Sequence, residues 1–312
     1  MKICIFGGSG SFGTAMCKYL VENTENEIIV FDRNEKMQFE HRQKLGSDRI
    51  RYIIGDIRDY NAVYRALENV DYVILASAMK HIDKCETNPD ECRKTNIDGC
   101  INVINASIEK NVKKLVFLST DKATNPTTIY GCSKLFVEMY CQCVDNRNTE
   151  IMKTKYGNVL FSNGSVGHIF SKLAKENKPL TVTTNEKGES HRRFFMTITQ
   201  AVDLVWYALN HGSHGDLFVY NNKQCNIEKL ARAFSDNIVY IKERCVEKTD
   251  EALLTINELN HSELIDNTYY RVNKNIDSDN TYMIPFTSET AEELSDDELQ
   301  DMIEESRKQG MI

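Results

Sequence analysis

Two short groups of side chains have the types and spacing needed for acid–base chemistry. Tyr130 and Lys134 stand four apart in Tyr130-Gly131-Cys132-Ser133-Lys134, the pattern Y-x-x-x-K. On a helix, positions i and i+4 share a face, so a phenol and an ammonium so spaced converge on one point. The ammonium favours the phenolate and draws the tyrosine pKa toward working pH, which suits a general base. Just upstream, Ser119-Thr120-Asp121-Lys122-Ala123 sets a hydroxyl, an acid and an amine in succession. Asp121 and Lys122 could also be a solvated loop pair, but Tyr130 close behind favours a chemical role.

A third group could hold the co-reactant. Gly7, Gly10 and Gly13 in GGSGSFG have the spacing G-x-x-G-x-x-G. The first glycine permits a tight turn, the second lets a pyrophosphate approach the backbone, and the third lets a helix pack on the sheet. Ser11, Phe12 and Gly13 then open a helix whose free amides face the phosphates. Asp32 in Phe31-Asp32-Arg33 can accept from the ribose hydroxyls of NAD, whereas Arg33 can pair with the extra phosphate of NADP. Asp56 in Gly55-Asp56-Ile57 is placed to meet the adenine amino group, or else to cap the following helix; Ile57 and Ala76 are assigned to the same site.

The elements that must position these groups alternate. Lys2–Phe6, Glu27–Phe31, Ile50–Ile54, Val70–Ser77, Lys114–Ser119 and Ile151–Tyr156 read as strands, with helices expected at 14–23, 90–110 and 130–144. Such alternation predicts βαβ crossovers and an α/β fold with a doubly wound parallel sheet. Thr181–Thr184 and Leu217–Tyr220 read as strands and Gln200–Asn210 as a helix, whereas 221–312 is polar and less regular. Ser295-Asp296-Asp297-Glu298 fits a capping box. The expected division is a nucleotide-binding Rossmann domain over 1–165 plus about 195–220, and a smaller interleaved substrate domain over 166–194 and 221–312.

Composition narrows the partners. The 312 residues carry 38 Lys+Arg against 46 Asp+Glu, a formal charge of -8, which disfavours nucleic acid and anionic membranes. No apolar run is long enough to span a bilayer, and no export signal is read at the N-terminus. The ten cysteines include no C-x-x-C, so no metal site is expected, and they read as reduced thiols in a cytoplasmic setting.

With Tyr156-Gly157-Asn158-Val159, these motifs resemble the extended short-chain dehydrogenase/reductase superfamily. Within it the chain is similar to the UDP-N-acetylglucosamine 4,6-dehydratase (5-inverting) family of polysaccharide biosynthesis. Further matches are Met79-Lys80-His81, Lys94-Thr95-Asn96, Gly164-Ser165-Val166 and Phe286-Thr287-Ser288, and Arg244-Cys245-Val246-Glu247-Lys248 resembles that family's R-P-G-E-K. The chain departs from the family in carrying Asp32-Arg33 where Ser-Arg is usual, and Asn163 where an arginine is common.

The resemblance implies a reaction on a UDP-sugar. Tyr130 takes the proton of the 4-hydroxyl as hydride passes from carbon 4 to the nicotinamide, Lys134 lowers the tyrosine pKa and holds the ribose, and Thr120 orients the 4-oxygen. Lys122 then removes the carbon 5 proton and Asp121 protonates the departing 6-hydroxyl. Hydride returns to carbon 6, and reprotonation from the opposite face inverts carbon 5. The family favours NADP, whereas Asp32 argues for NAD. Asn158 and Arg244, then Arg193 and Lys80, are the expected substrate ligands; Asn96 supports the site backbone. Family members imply a homo-oligomer such as a hexamer. A 4-epimerase, which would share the first oxidation, and a non-catalytic NAD(P)-sensing protein are the alternatives.

Overall fold

Buried apolar runs need cover on both faces, and the amphipathic segments between them supply it by crossing over the sheet. The computed structural model describes residues 1–243, 247–278 and 281–312, and it divides into two compact units: Met1–Lys155 with Val202–Phe218, and Tyr156–Ala201 with Val219–Ile312. In chain order the first unit contains β1 (Lys2–Phe6), α1 (Ser11–Asn23), β2 (Glu27–Asp32), α2 (Glu35–Leu45), β3 (Ile50–Ile54), α3 (Tyr60–Ala66), β4 (Tyr72–Leu75), α4 (Ile82–Thr87), α5 (Pro89–Cys92), α6 (Cys100–Glu109), β5 (Lys114–Leu118), α7 (Ile129–Cys143) and β6 (Glu150–Lys155). The chain continues through β7 (Asn158–Val159), α8 (Val166–Lys175), β8 (Leu180–Thr184), β9 (Arg192–Met196), α9 (Ile198–His211) and β10 (Leu217–Tyr220). It ends with β11 (Gln224–Asn226), α10 (Ile227–Arg232), β12 (Ile238–Lys242), β13 (Ala252–Leu254), α11 (Ile256–Asn260), β14 (Ser262–Ile265), β15 (Tyr269–Val272), β16 (Phe286–Thr287) and α12 (Asp296–Lys308).

The first unit is a doubly wound sheet. β1 pairs in parallel with β2 and β4, β2 with β3, and β5 with β4 and β6, giving the order β3-β2-β1-β4-β5-β6-β10. The order reverses between β1 and β4, the switch point beyond whose carboxyl ends such sheets bind ligands. One face packs Phe6, Phe31 and Phe117 with Val103 and Ile104 of α6, all fully buried. The second unit has its own core, in which Phe161, Phe170, Leu180, Val182 and Phe195 pack with Leu299 and Ile303 of α12.

The structure moves several expected boundaries. α1 begins at Ser11, not 14, because Gly10 is its N-cap. The long helix expected over 90–110 is α5, a π-helical turn over Arg93–Gly99 and α6. Residues 156–165 and 195–201 lie in the second unit, since β7 pairs with β9 and the Leu160 amide bonds the Met196 carbonyl at 2.9 Å. The region beyond 221 is more regular than its polarity suggested: β14 pairs with β15 as a hairpin whose Glu263 and Leu264 are exposed, so a short strand there shows little apolar alternation. Ser295 and Glu298 form the reciprocal capping box that opens α12. Among the described residues no helix is long and apolar enough to cross a membrane.

Candidate active site

The glycine loop connects β1 to α1. Gly7 has φ +80°, which L side chains rarely adopt, and a β-carbon there would lie 2.9 Å from the Ser77 amide just beyond β4. Gly13 packs against the Gly8 backbone so closely that a β-carbon would overlap it. Gly10 differs: a β-carbon would meet only the Gly7 carbonyl, at 3.3 Å, and the residue gives α1 no side-chain cap. An open approach over a helix N-terminus whose cap bears no side chain fits the pyrophosphate of a dinucleotide. Ala76, whose amide bonds the Phe6 carbonyl at 2.9 Å, continues β4 beside this loop.

Asp32 ends β2 with its carboxylate already held. The Ser9 hydroxyl donates to Oδ2 at 2.6 Å and the Asn34 amide to Oδ1 at 3.1 Å. Asp56 is gripped by Arg58, whose Nε donates to Oδ1 at 3.0 Å and Nη2 to Oδ2 at 2.7 Å, with Arg33 3.6 Å away. Burial pushes the Asp56 carboxyl up, but the Arg58 hydrogen bonds and the two guanidinium charges outweigh it and hold the pKa below the usual range. An adenine amino group would therefore share this carboxylate with Arg58. Ile57 is buried beneath, close enough to Gly99 that a β-carbon at 99 would strike its side chain.

The second half of the site is a turn and a helix. β5 leads into Ser119 and Thr120, and Thr120 caps a single 3₁₀ turn, Asp121–Ala123. Asp121 is fully buried; its Oδ1 accepts from the Thr120 hydroxyl at 2.8 Å and from Lys122 Nζ at 3.0 Å. Its Oδ2 is buried with no hydrogen-bond partner among the described residues. α7 packs on this turn because residue 131 is glycine, as a β-carbon there would overlap the Lys122 carbonyl oxygen. Thr128 caps α7 by accepting from the Gly131 amide at 3.1 Å.

Tyr130 and Lys134 are consequently both buried on the first turns of α7. Tyr130 clusters with Cys85 and Cys92, and Met79, Ile82 and Ile129 pack around them. Lys134 donates to the Leu118 carbonyl at 2.7 Å, with its ammonium 4.5 Å above the Phe117 ring. Burial lowers the Lys134 pKa, and the nearby Cys100 and Glu138 partly offset the shift.

Other residues brace these groups. Asn96, on the π-helical turn, exchanges hydrogen bonds with the Met79 backbone at 2.8 and 2.9 Å and donates to the Ser133 hydroxyl at 3.1 Å. It thus ties the Met79-Lys80-His81 loop to α7, while the Lys80 side chain stays exposed. Sequence reasoning passed over Glu138 and Lys155, both nearly fully buried and 3.3 Å apart. Their signal was a glutamate four residues beyond Lys134 and a lysine within an otherwise buried strand.

Of the expected substrate ligands, Lys80 lies in the first unit, and Asn158 and Arg193 in the second. Asn158 is half-buried on β7, opposite Phe195. Arg193 spends four of its N–H groups within its own neighbourhood, on the carbonyls of Arg192, Thr249 and Lys248 and on His191 Nδ1, at 2.7 to 3.1 Å. This guanidinium, one of the secondary candidates for a substrate ligand, thus braces the 248–249 backbone. Arg244 lies outside the described residues.

Residues 3–273 match the family described as polysaccharide biosynthesis protein. The chain belongs to this family. A Campylobacter jejuni relative, a UDP-N-acetylglucosamine 4,6-dehydratase (inverting), is 36% identical over 306 residues, covering 95% of this chain and 90% of its own length. A UDP-glucose 4-epimerase from Rickettsia bellii is 38% identical over 284 residues, covering 86% and 82%. Among solved structures, Pen from Bacillus thuringiensis matches 97% of this chain and 98% of its own at TM-score 0.88 and 32% identity. The dTDP-glucose 4,6-dehydratase DesIV of Streptomyces venezuelae, solved with NAD, shares the fold over 80% of this chain and 87% of its own, at TM-score 0.72 and 17% identity.

Proposed function

We propose that this member of the polysaccharide biosynthesis family is an NAD-dependent UDP-N-acetylglucosamine 4,6-dehydratase that inverts carbon 5. The observation that carries the reading is the buried Asp121 carboxyl. Lys122 and Thr120 both engage Oδ1, which leaves Oδ2 with no partner among the described residues. A buried carboxyl oxygen without a donor is costly unless a ligand hydroxyl meets it. A departing 6-hydroxyl would be such a partner.

The glycine loop, Asp32 and Lys134 would hold a nicotinamide dinucleotide, which when bound would supply reversible hydride exchange between carbon 4 and carbon 6 of the sugar. Tyr130 takes the 4-hydroxyl proton, helped by the ammonium of Lys134 on the same helix face. The resulting ketone acidifies carbon 5. Lys122 removes that proton, Asp121 hands one to the departing 6-oxygen, and after hydride reaches carbon 6 a solvent-derived proton adds to the opposite face of carbon 5. Thr120 holds Asp121 in place through its hydroxyl, a part in addition to the orientation of the 4-oxygen inferred from the family. Asn158 and Arg244 are the nucleotide ligands of choice, Arg193 being engaged with backbone.

The preference for NAD rests on Asp32. Its carboxylate is fixed by Ser9 and Asn34 at the end of β2, where the 2′-phosphate of NADP would meet like charge. Arg33, drawn toward Asp56, is partly neutralised as a phosphate partner.

The Rickettsia relatives support a 4-epimerase as the second reading. Product mass separates the two. Incubation with UDP-N-acetylglucosamine is expected to yield a nucleotide sugar lighter by one water; an isobaric product from either UDP-N-acetylglucosamine or UDP-glucose would establish the epimerase instead.

A further inference from the structure

We propose that the Glu138–Lys155 ion pair is a positioning element of the reaction, holding the Thr120–Ala123 turn in register with Tyr130 and Lys134. The proposal takes from the functional reading only the choice of assay.

The pair grips the turn at both ends. Glu138 lies on α7, four residues beyond Lys134, and Lys155 is the last residue of β6. Glu138 Oε2 is 3.3 Å from Lys155 Nζ. The Ser119 hydroxyl donates to Glu138 Oε1, and Lys155 Nζ donates to the Thr124 hydroxyl at 3.1 Å. Ser119 immediately precedes Thr120, and Thr124 immediately follows Ala123. One ion pair therefore fixes both flanks of the segment bearing Thr120, Asp121 and Lys122, and it does so from the helix that bears Tyr130 and Lys134.

The energetics favour a geometric task. Ser119, Thr124, Glu138 and Lys155 are 5%, 3%, 6% and 1% exposed. Desolvation cancels much of the attraction in such a pair, and packed apolar side chains of similar volume often serve stability as well or better. A buried pair that also reaches two flanking hydroxyls adds what apolar packing does not, a fixed direction. Misplacement of reacting groups by about 1 Å can cost about 100-fold in rate.

The experiment uses the full-length, cofactor-loaded enzyme with UDP-N-acetylglucosamine. The Glu138→Leu/Lys155→Met double variant replaces the pair by apolar volume, and the Ser119→Ala/Thr124→Val double variant leaves the pair but cuts its grip. Each is expected to lower kcat by roughly 10- to 100-fold while KM and cofactor affinity change by less than about threefold. The four changes combined should cost far less than the product of the separate losses, because both act through one contact. Wild-type kcat in the Ser119→Ala/Thr124→Val variant overturns the proposal. So does a loss that falls equally on cofactor binding, which marks general damage to the fold. The second variant carries the test if the first does not fold. Turnover is scored on whichever product the wild type makes, together with transient reduction of the bound cofactor, which dehydration and epimerisation share. An isobaric wild-type product would therefore end the dehydratase reading without touching this one.

Discussion

Gly131 sits against the carbonyl of Lys122 with no room for a β-carbon between them. This contact joins the two chemical groups of the site. It lets the first turn of α7, with Tyr130 and Lys134, close onto the turn that carries Asp121 and Lys122. The glycine inside Y-G-x-x-K therefore sets how closely the helix and the turn approach.

Gly131→Ala should push the 3₁₀ turn off α7. A displacement of about 1 Å predicts a kcat loss near 100-fold, while NAD affinity is unchanged because the glycine loop is untouched. Steady-state kinetics alongside calorimetric NAD binding would read this; a variant with wild-type kcat would show that the close approach is incidental.

Lys122→Ala and Asp121→Asn should separate the two half-reactions from Tyr130→Phe. The first two are expected to retain transient cofactor reduction yet lose water elimination by at least about 100-fold. Tyr130→Phe should abolish the absorbance of reduced nicotinamide in a single turnover. Dehydration at the wild-type rate in Lys122→Ala would remove that lysine from the mechanism.

Asp32→Ser should relax cofactor choice. It removes the carboxylate that Ser9 and Asn34 hold at the end of β2, so the NAD-to-NADP affinity ratio should drop by about tenfold or more. Paired titrations with NAD and NADP measure it. Equal ratios in variant and wild type would shift the discrimination elsewhere.

His41 predicts the pH dependence of stability. It is 3% exposed, with Nδ1 2.7 Å from the Tyr52 hydroxyl, and burial lowers its pKa from 6.5 to about 4. Below 6.5 the unfolded chain binds a proton that the fold refuses. The stabilisation is thus complete above 6.5 and drains away as pH falls toward 4. His41→Leu should flatten the fall in Tm between pH 7 and 5; an unchanged slope would assign acid sensitivity to other groups.

Much of this was legible because the signals were local. The glycine triplet, the six parallel strands and Y-x-x-x-K each lie within a few residues, and periodicity or spacing suffices to place them. The helix expected over 90–110 is continuous from 89 to 109, but its π-helical turn was not legible, because such a turn keeps apolar spacing close to that of an α-helix while shifting the face, and Asn96 uses that shift to reach Met79. Glu138 and Lys155 were overlooked for the opposite reason: their meaning depends on Ser119 and Thr124, brought to them only by folding. Arg193 stood among the candidate substrate ligands because a sequence does not reveal which carbonyls a guanidinium will meet.

The central claim is that Asp121 and Lys122 strip water from a sugar held for transient oxidation. Its most direct test is turnover of UDP-N-acetylglucosamine in deuterated water, followed by mass spectrometry and NMR. The account predicts a 4-keto-6-deoxy product with one deuterium at an inverted carbon 5. A product that keeps its 6-hydroxyl, or one with protium at carbon 5, would contradict it.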